Sequence, residues 1–198
     1  MDRRPVSAPA PAGIVLAGGA GRRMGTPKAA VHLAGRPLVQ HALALLGARC
    51  RQVVVVARPE TPLGPLPAPV VHDRPGPAGP LGALATGLAA VDADRVLVLA
   101  CDLPFAAPLL DALLAHPGEG AVVGRSAGHI QPLCARYPRR ATLAEAERLL
   151  GAGDHPARGP APALDAATID DSWGALANLN TPDDLRLAAA RWADAQTG

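Results

Sequence analysis

The segment LAGGAGRRMGTPK, from Leu16 to Lys28, holds a glycine cluster (Gly18, Gly19, Gly21), the adjacent Arg22 and Arg23, and Lys28. Lys28 is the one lysine among 19 basic side chains, in a chain that uses arginine everywhere else. A lysine ammonium is a compact charge on a flexible stem and can follow a phosphate as its charge shifts, whereas a guanidinium is a bulky planar fork. Glycines let backbone N–H groups approach phosphate oxygens closely, and a helix terminus after the loop adds a favourable dipole. Three cations within seven positions repel one another unless a polyanion sits among them. The segment is therefore read as a triphosphate-binding loop, with an ordinary strand-to-loop turn as the alternative for its glycines. Its spacing matches neither common phosphate motif. Met24 stands where G-x-G-x-x-G requires its last glycine, and Lys28 does not follow a glycine as the Walker signature demands.

Three further stretches carry polar groups at chemically useful places. In VLVLACDLP, Asp102 follows an apolar run directly, where a carboxylate can hold Mg²⁺ against phosphates, since magnesium takes one or two carboxylates and fills its other sites with water and phosphate oxygens. The competing role for Asp102 is to cap a helix after Pro104. In HDRPGPAGPLGALATGL, Asp73 precedes a Gly/Pro turn that could wrap a nucleobase or ribose, with its carboxylate accepting from base N–H donors; an uneventful loop explains the prolines equally well. In ANLNTPDDL, Thr181 reads as an N-cap, Pro182 as the first helical residue, and Asp183 and Asp184 as first-turn acids. Asn178 and Asn180 stand just before the cap and could complete a metal or phosphate site, or stabilise the turn.

The elements that must position these groups follow from hydrophobic patterning. Gly13 to Ala17, Gln52 to Ala57 and Arg95 to Cys101 read as buried strands, with helices over Pro37 to Leu46 and Leu81 to Val91 between them. That alternation predicts an α/β fold, a parallel sheet covered by helices on both faces, with the glycine loop and Asp102 at the carboxyl edge where ligands bind. A helix over Ala107 to His116, strands over Gly120 to Gly124 and Gln131 to Tyr137, and helices near Thr142 to Leu150 and Pro182 to Ala195 are expected to follow. Arg58 to Pro69 and Gly151 to Pro162 read as surface loops, the second alternatively as a loop over a second substrate. No internal repeat is visible. Residues 1–12 read as a flexible tail and 13–198 as one domain, which the length supports.

Composition removes several function classes. The net charge of +2 and an aromatic content of 2% argue against a nucleic-acid partner, which would need a basic surface or stacking platforms. Cys50, Cys101 and Cys134 form no C-x-x-C pair, so neither a disulfide framework nor a zinc knuckle is expected, and a cytoplasmic location fits best. No secretory leader or spanning segment is expected, hence no membrane partner. The six histidines show no i,i+4 pairing, and no G-x-S-x-G elbow is present.

Taken together, LAGGAGRRMGTPK, DRPGPAGPLGALATGL, ACDLP, QPLCARYP from Gln131 and NLNTPDDL resemble the nucleotidyltransferase family that contains molybdenum cofactor guanylyltransferase, the MobA-type enzymes. The resemblance spans nearly the whole chain. It implies a three-layer α/β/α, Rossmann-like nucleotidyltransferase fold with a mostly parallel sheet. By that likeness Leu16, Ala17, Gly18, Gly19 and Lys28 bind the triphosphate, Asp73 lies near the base and Asp102 binds Mg²⁺. The implied reaction transfers GMP from GTP to the molybdopterin-bound molybdenum cofactor, with Lys28 and Arg22 offsetting charge on the departing pyrophosphate. Apo-molybdoenzymes or their chaperones are the implied recipients. A cytidylyltransferase for the same cofactor, a sugar-phosphate nucleotidyltransferase and a non-catalytic cofactor-delivery module are the competing readings. Two departures stand out: Pro27 replaces the acidic residue usual before the lysine, and GDHPARGPAP replaces a helical stretch.

Overall fold

The computed structural model describes residues 9–18, 26–73, 79–156 and 158–197. In chain order they form β1 (Ala12–Leu16), β2 (His32–Leu33), β3 (Arg36–Pro37), α1 (Leu38–Gly47), β4 (Gln52–Ala57), β5 (Val70–His72) and α2 (Gly79–Ala90). Then come β6 (Arg95–Ala100), α3 (Ala107–Ala115), β7 (Val122–Ser126), β8 (His129–Pro138), α4 (Arg139–Gly151), β9 (Ala167–Asp170) and α5 (Pro182–Thr197). Seven strands make one sheet in the order β5-β4-β1-β6-β8-β7-β9, with β2 and β3 as a separate hairpin. β1 lies at the centre, parallel to both β4 and β6. β8 runs antiparallel to β6 and β7, so the sheet is mostly rather than wholly parallel.

The central strands are apolar throughout because both of their faces are covered. Val15, Val55, Leu97 and Leu99 pack with Val39, Leu43 and Leu46 of α1 and Leu109, Leu110 and Leu113 of α3. The alternate residues Ile14, Leu16, Val54, Val56, Val96 and Val98 pack with Leu84 and Leu88 of α2. α2 sits close to the sheet at Gly87, where a Cβ would lie 2.5 Å from Cγ2 of Ile14 and 3.0 Å from Cγ2 of Val56.

Every long element expected from patterning is present within a few residues of its expected ends. β5, β9 and the β2–β3 hairpin are additions. β5 and β9 have only three and four residues, too few for an alternation to register, and each is half exposed. The hairpin turns on Ala34 and Gly35, at φ of 49° and 76°. A two-residue turn with both φ positive is the type that matches strand twist.

That hairpin is the seat of α5. Leu33 joins Val31, Leu38, Leu179 and Ala188 in a small buried cluster, with Phe105 and Trp192 packed against it. His41, a buried histidine, hydrogen-bonds the Leu33 carbonyl oxygen at 2.9 Å and meets the Trp192 ring edge-on at 4.6 Å. The chain after β9 is thereby brought back across the carboxyl ends of β1 and β6.

Candidate active site

A cleft of about 280 Å³ opens where β1 and β6 end, lined by Leu16, Gly18, Lys28, Asp73, Asp102 and Asn178 among others. This is the edge at which parallel sheets bind ligands, because consecutive crossovers leave there in opposite directions. The β1–β6 ladder continues one residue past the strands, with Cys101 N–H donating to the Leu16 carbonyl at 3.1 Å. Asp102 therefore leaves the sheet on rigid backbone.

Lys28 sits on a single 3₁₀ turn, Lys28–Ala30, pinned from below by the fully buried Ala29. Its Nζ donates to Oδ2 of Asp102 at 2.5 Å and to Oδ1 of Asn180, also at 2.5 Å. Asp102 and Asn180 lie 74 and 152 positions from Lys28 in sequence, so only the fold joins the three. The side chains of Lys28 and Asp102 keep 20% and 12% of their exposure, enough for an incoming ligand to reach them. A partly buried ion pair stabilises little, because desolvation offsets the attraction. Its place at an open cleft accords better with chemistry than with stability. Asp102 does not cap the next helix: α3 starts after Ala106 with no side-chain cap.

The arrangement of the two asparagines follows from the residue between them. Leu179 is 2% exposed, buried in the α5 cluster, so its neighbours are directed away from that cluster. Asn178 lines the cleft and Asn180 reaches Lys28. Leu179 N–H donates to the Asp102 carbonyl at 3.1 Å, tying this segment to the end of β6.

Other candidates fall as follows. Leu16 and Gly18 border the cleft, and among the described residues nothing stands within 4 Å of where a Cβ on Gly18 would sit. Asp73 borders it on the far side from β8, its N–H extending the β4–β5 ladder to the Ala57 carbonyl at 2.8 Å. Ala17 does not line the cleft. Its methyl is fully buried and its N–H donates to the Val56 carbonyl at 2.8 Å, because β1 continues its pairing with β4 through this residue. Gly19 and Arg22 lie outside the described residues.

The structure adds lining groups that sequence reasoning passed over: Arg58, Pro80, Gln131 and Leu133. Gly79 and Pro80 open α2, so the positive end of its dipole borders the cleft. A second groove between α2, β8 and residues 155, 156, 159 and 160 shares Gly79, Pro80, Gln131 and Leu133 with the first. The proline-rich stretch, alternatively read as a loop over a second substrate, thus forms one wall of a groove continuous with the cleft. Cys101 is no nucleophile. Burial, with Asp102 adding to it and Lys28 opposing it, pushes its thiol up to about 12.

Among the described residues no cluster of three or more His, Cys, Asp or Glu side chains could cage a metal ion. The cleft does offer the Asp102 carboxylate beside the amide oxygen of Asn180. That donor set suits Mg²⁺ arriving with phosphate and water oxygens of its own, which needs only one or two carboxylates from the protein. Among the described residues, no helix is long and apolar enough to cross a membrane.

The family described as MobA-like NTP transferase domain matches residues 13–170. A probable molybdenum cofactor guanylyltransferase of Chloroflexus aggregans is 37% identical over 195 residues, covering 90% of this chain and 93% of that protein. The molybdenum cofactor guanylyltransferase of Cereibacter sphaeroides is also 37% identical, covering 89% and 94%. Among solved structures, molybdopterin-guanine dinucleotide biosynthesis protein A from Archaeoglobus fulgidus superposes with a TM-score of 0.75 at 25% identity, over 92% of this chain and 99% of that one. A 2-C-methyl-D-erythritol 4-phosphate cytidylyltransferase from Thermus thermophilus shares the fold at a TM-score of 0.71 and 20% identity, over 92% and 98%.

Proposed function

Because the chain belongs to the MobA-like NTP transferase family, we propose that it transfers GMP from GTP to the molybdopterin-bound molybdenum cofactor and releases pyrophosphate. The observation that carries this reading is the meeting of Lys28, Asp102 and Asn180 at the open carboxyl edge of β1 and β6. A terminal phosphate oxygen of the acceptor forms the new bond to the α-phosphorus of GTP, and the α–β bridging oxygen leaves with pyrophosphate. The attacking oxygen is already anionic at neutral pH, so the protein needs no strong base. Its task is alignment and neutralisation of developing charge.

Lys28 supplies that charge. When a triphosphate enters, its ammonium can turn from Asp102 towards the phosphates, following the negative charge as it gathers on the leaving group. Asp102, relieved of the ammonium, and Asn180 would hold Mg²⁺, which when bound neutralises phosphate oxygens as a Lewis acid. Backbone at Gly18 faces the triphosphate, Gly19 and Arg22 are assigned to the same phosphates from the motif alone, and Asp73 accepts from base N–H donors. The molybdopterin acceptor occupies the second groove, beside residues 155, 156, 159 and 160, which joins the cleft through Gln131 and Leu133. We take residues 13–198 as one working domain, located in the cytoplasm, with an apo-molybdoenzyme or its chaperone receiving the product.

The test is pyrophosphate release from purified protein with Mg²⁺, cofactor and each nucleoside triphosphate in turn. GTP is expected to support release and CTP not; release with CTP alone would point to the cytidylyl reaction, and none with any nucleotide to a delivery module. Amide exchange run alongside should show cofactor protecting residues 130, 131, 133 and 155. An unchanged pattern there would remove the acceptor from this groove.

A further inference from the structure

The catalytic asparagine segment is not held by apolar packing alone. Asp184, in the first turn of α5, accepts through one oxygen, Oδ2, from the backbone N–H of Asn180 at 2.9 Å and of Thr181 at 2.8 Å. Its own N–H donates to Thr181 Oγ1 at 3.1 Å. The second contact with Thr181 is the reciprocal half of an ordinary capping box. The contact with Asn180 lies one residue further out, beyond what capping the helix requires. Asn180 is the residue whose Oδ1 accepts from Lys28. At the other end of the same segment, Asp171 accepts from the N–H groups of Trp173, Ala175 and Leu176 at 3.0, 2.9 and 2.7 Å. Two carboxylates thus bracket the stretch that carries Asn178 and Asn180. Neither lines the cleft.

We propose that Asp184 is a positioning residue for nucleotidyl transfer: by gripping the Asn180 amide it fixes Asn180 Oδ1 on Lys28 and so sets the direction of the catalytic ammonium. The proposal rests on the functional reading above, and the role is distinct from stabilising α5. Misplacing a catalytic group by about 1 Å can cost on the order of 100-fold in rate.

The experiment compares Asp184→Asn, Asp184→Glu and Thr181→Ala by melting temperature, by the kinetics of pyrophosphate release and by amide exchange at residues 180 and 181. Thr181→Ala weakens the helix cap while leaving the Asn180 grip. Asp184→Asn is expected to lower kcat by roughly tenfold or more with KM for GTP changed less than about threefold, since alignment rather than affinity is lost. Asp184→Glu, the usual capping-box acid, should recover most of that loss. Thr181→Ala should lower the melting temperature comparably and change kcat by less than about twofold. In an Asn180→Ala background, Asp184→Asn should add almost nothing. Equal kcat loss in Thr181→Ala, or an undiminished Asp184→Asn effect without the Asn180 side chain, overturns the proposal. Should Asp184→Asn fail to fold, Asp184→Ser, whose hydroxyl is too short to span both amides, takes its place. Absent pyrophosphate release by the wild-type protein sinks the functional reading alone, because exchange still reports on the grip: faster exchange at Asn180 in the variant sustains it, and unchanged exchange ends it.

Discussion

The two walls of the cleft are built by different physics. The wall carrying Leu16, Gly18 and Asp102 grows from β1, buried throughout, and β6, buried from Val96 to Leu99, which are sandwiched between α1 and α3 on one face and α2 on the other. The opposite wall, residues 171 to 181, has no regular structure, and much of its hold comes from two carboxylates on backbone N–H groups. Apolar burial is non-directional and indifferent to pH, whereas a carboxylate grip is directional and depends on ionisation. The first wall is therefore a foundation and the second an adjustable fitting, and Lys28 stands between them with one bond to each.

If Lys28 joins the two walls and also carries the charge for transfer, its loss should have the largest effect of any single change. Lys28→Ala is expected to reduce kcat/KM for pyrophosphate release by about 100- to 1,000-fold, the usual consequence of removing one stabiliser of transition-state charge. Lys28→Arg keeps the charge but not the shape, and a planar fork cannot fit a point between Asp102 and Asn180. It should still lose on the order of tenfold, a value set by the same alignment argument. Kinetics for Lys28→Arg equal to wild type would show that charge alone matters and that the geometry between the walls is incidental.

Legibility in the sequence divides along the same line. The foundation was readable, because a strand buried on both faces must be a continuous apolar run and its end must be marked by polar residues, as at Leu99 to Asp102. Lys28 was readable from its rarity. The fitting was only half readable. The T-x-x-D spacing from Thr181 announces a cap, but nothing in it says that Asp184 also takes the amide of Asn180, and no pattern at all marks Asp171 as the anchor of three N–H groups 2 to 5 residues ahead. Such contacts depend on how an irregular segment bends, which no periodicity encodes. Arg58, Gln131 and Leu133 were missed for a related reason: they enter the cleft because their strands lie beside β1 and β6, a matter of sheet order rather than local sequence. Ala17, grouped with the loop by motif, is paired with β4 through its N–H, as its place at the end of the expected strand implies.

The foundation can be strained without touching the fitting. In Gly87→Ala the new methyl would meet Ile14 and Val56, both stiff β-branched side chains already fully buried or nearly so. Overpacking of this kind costs about 1–3 kcal/mol, against a gain of roughly 1 kcal/mol from replacing glycine within a helix. The contact at 2.5 Å places the cost at the upper end, so a net loss of about 1–2 kcal/mol is expected, seen as a fall of several degrees in melting temperature. Turnover per folded molecule should not change. A variant as stable as wild type would mean that the sheet face yields more easily than its packing implies.

The smallest effect is the most selective, because it should loosen one wall alone. The backbone N–H of Asn180 and the Thr181 hydroxyl hold the Asp184 carboxyl below its ordinary range. For Asp171, burial alone would raise the value, but the N–H groups of Leu176, Ala175 and Trp173 together with Arg191 outweigh it and the net shift is downward. A carboxylate whose folded value lies below its unfolded one contributes stability that is complete above the unfolded value and disappears as pH falls through the folded one. Both grips are thus intact at neutral pH and fail only below about pH 4, the unfolded carboxylate range. Residues 173, 175, 176, 180 and 181 should lose amide-exchange protection in that window while β1 and β6, held by burial, keep theirs. Simultaneous opening of β1, β6 and the 171–181 segment on acidification would show that the two walls form a single cooperative unit, and the contrast between foundation and fitting would have no energetic content.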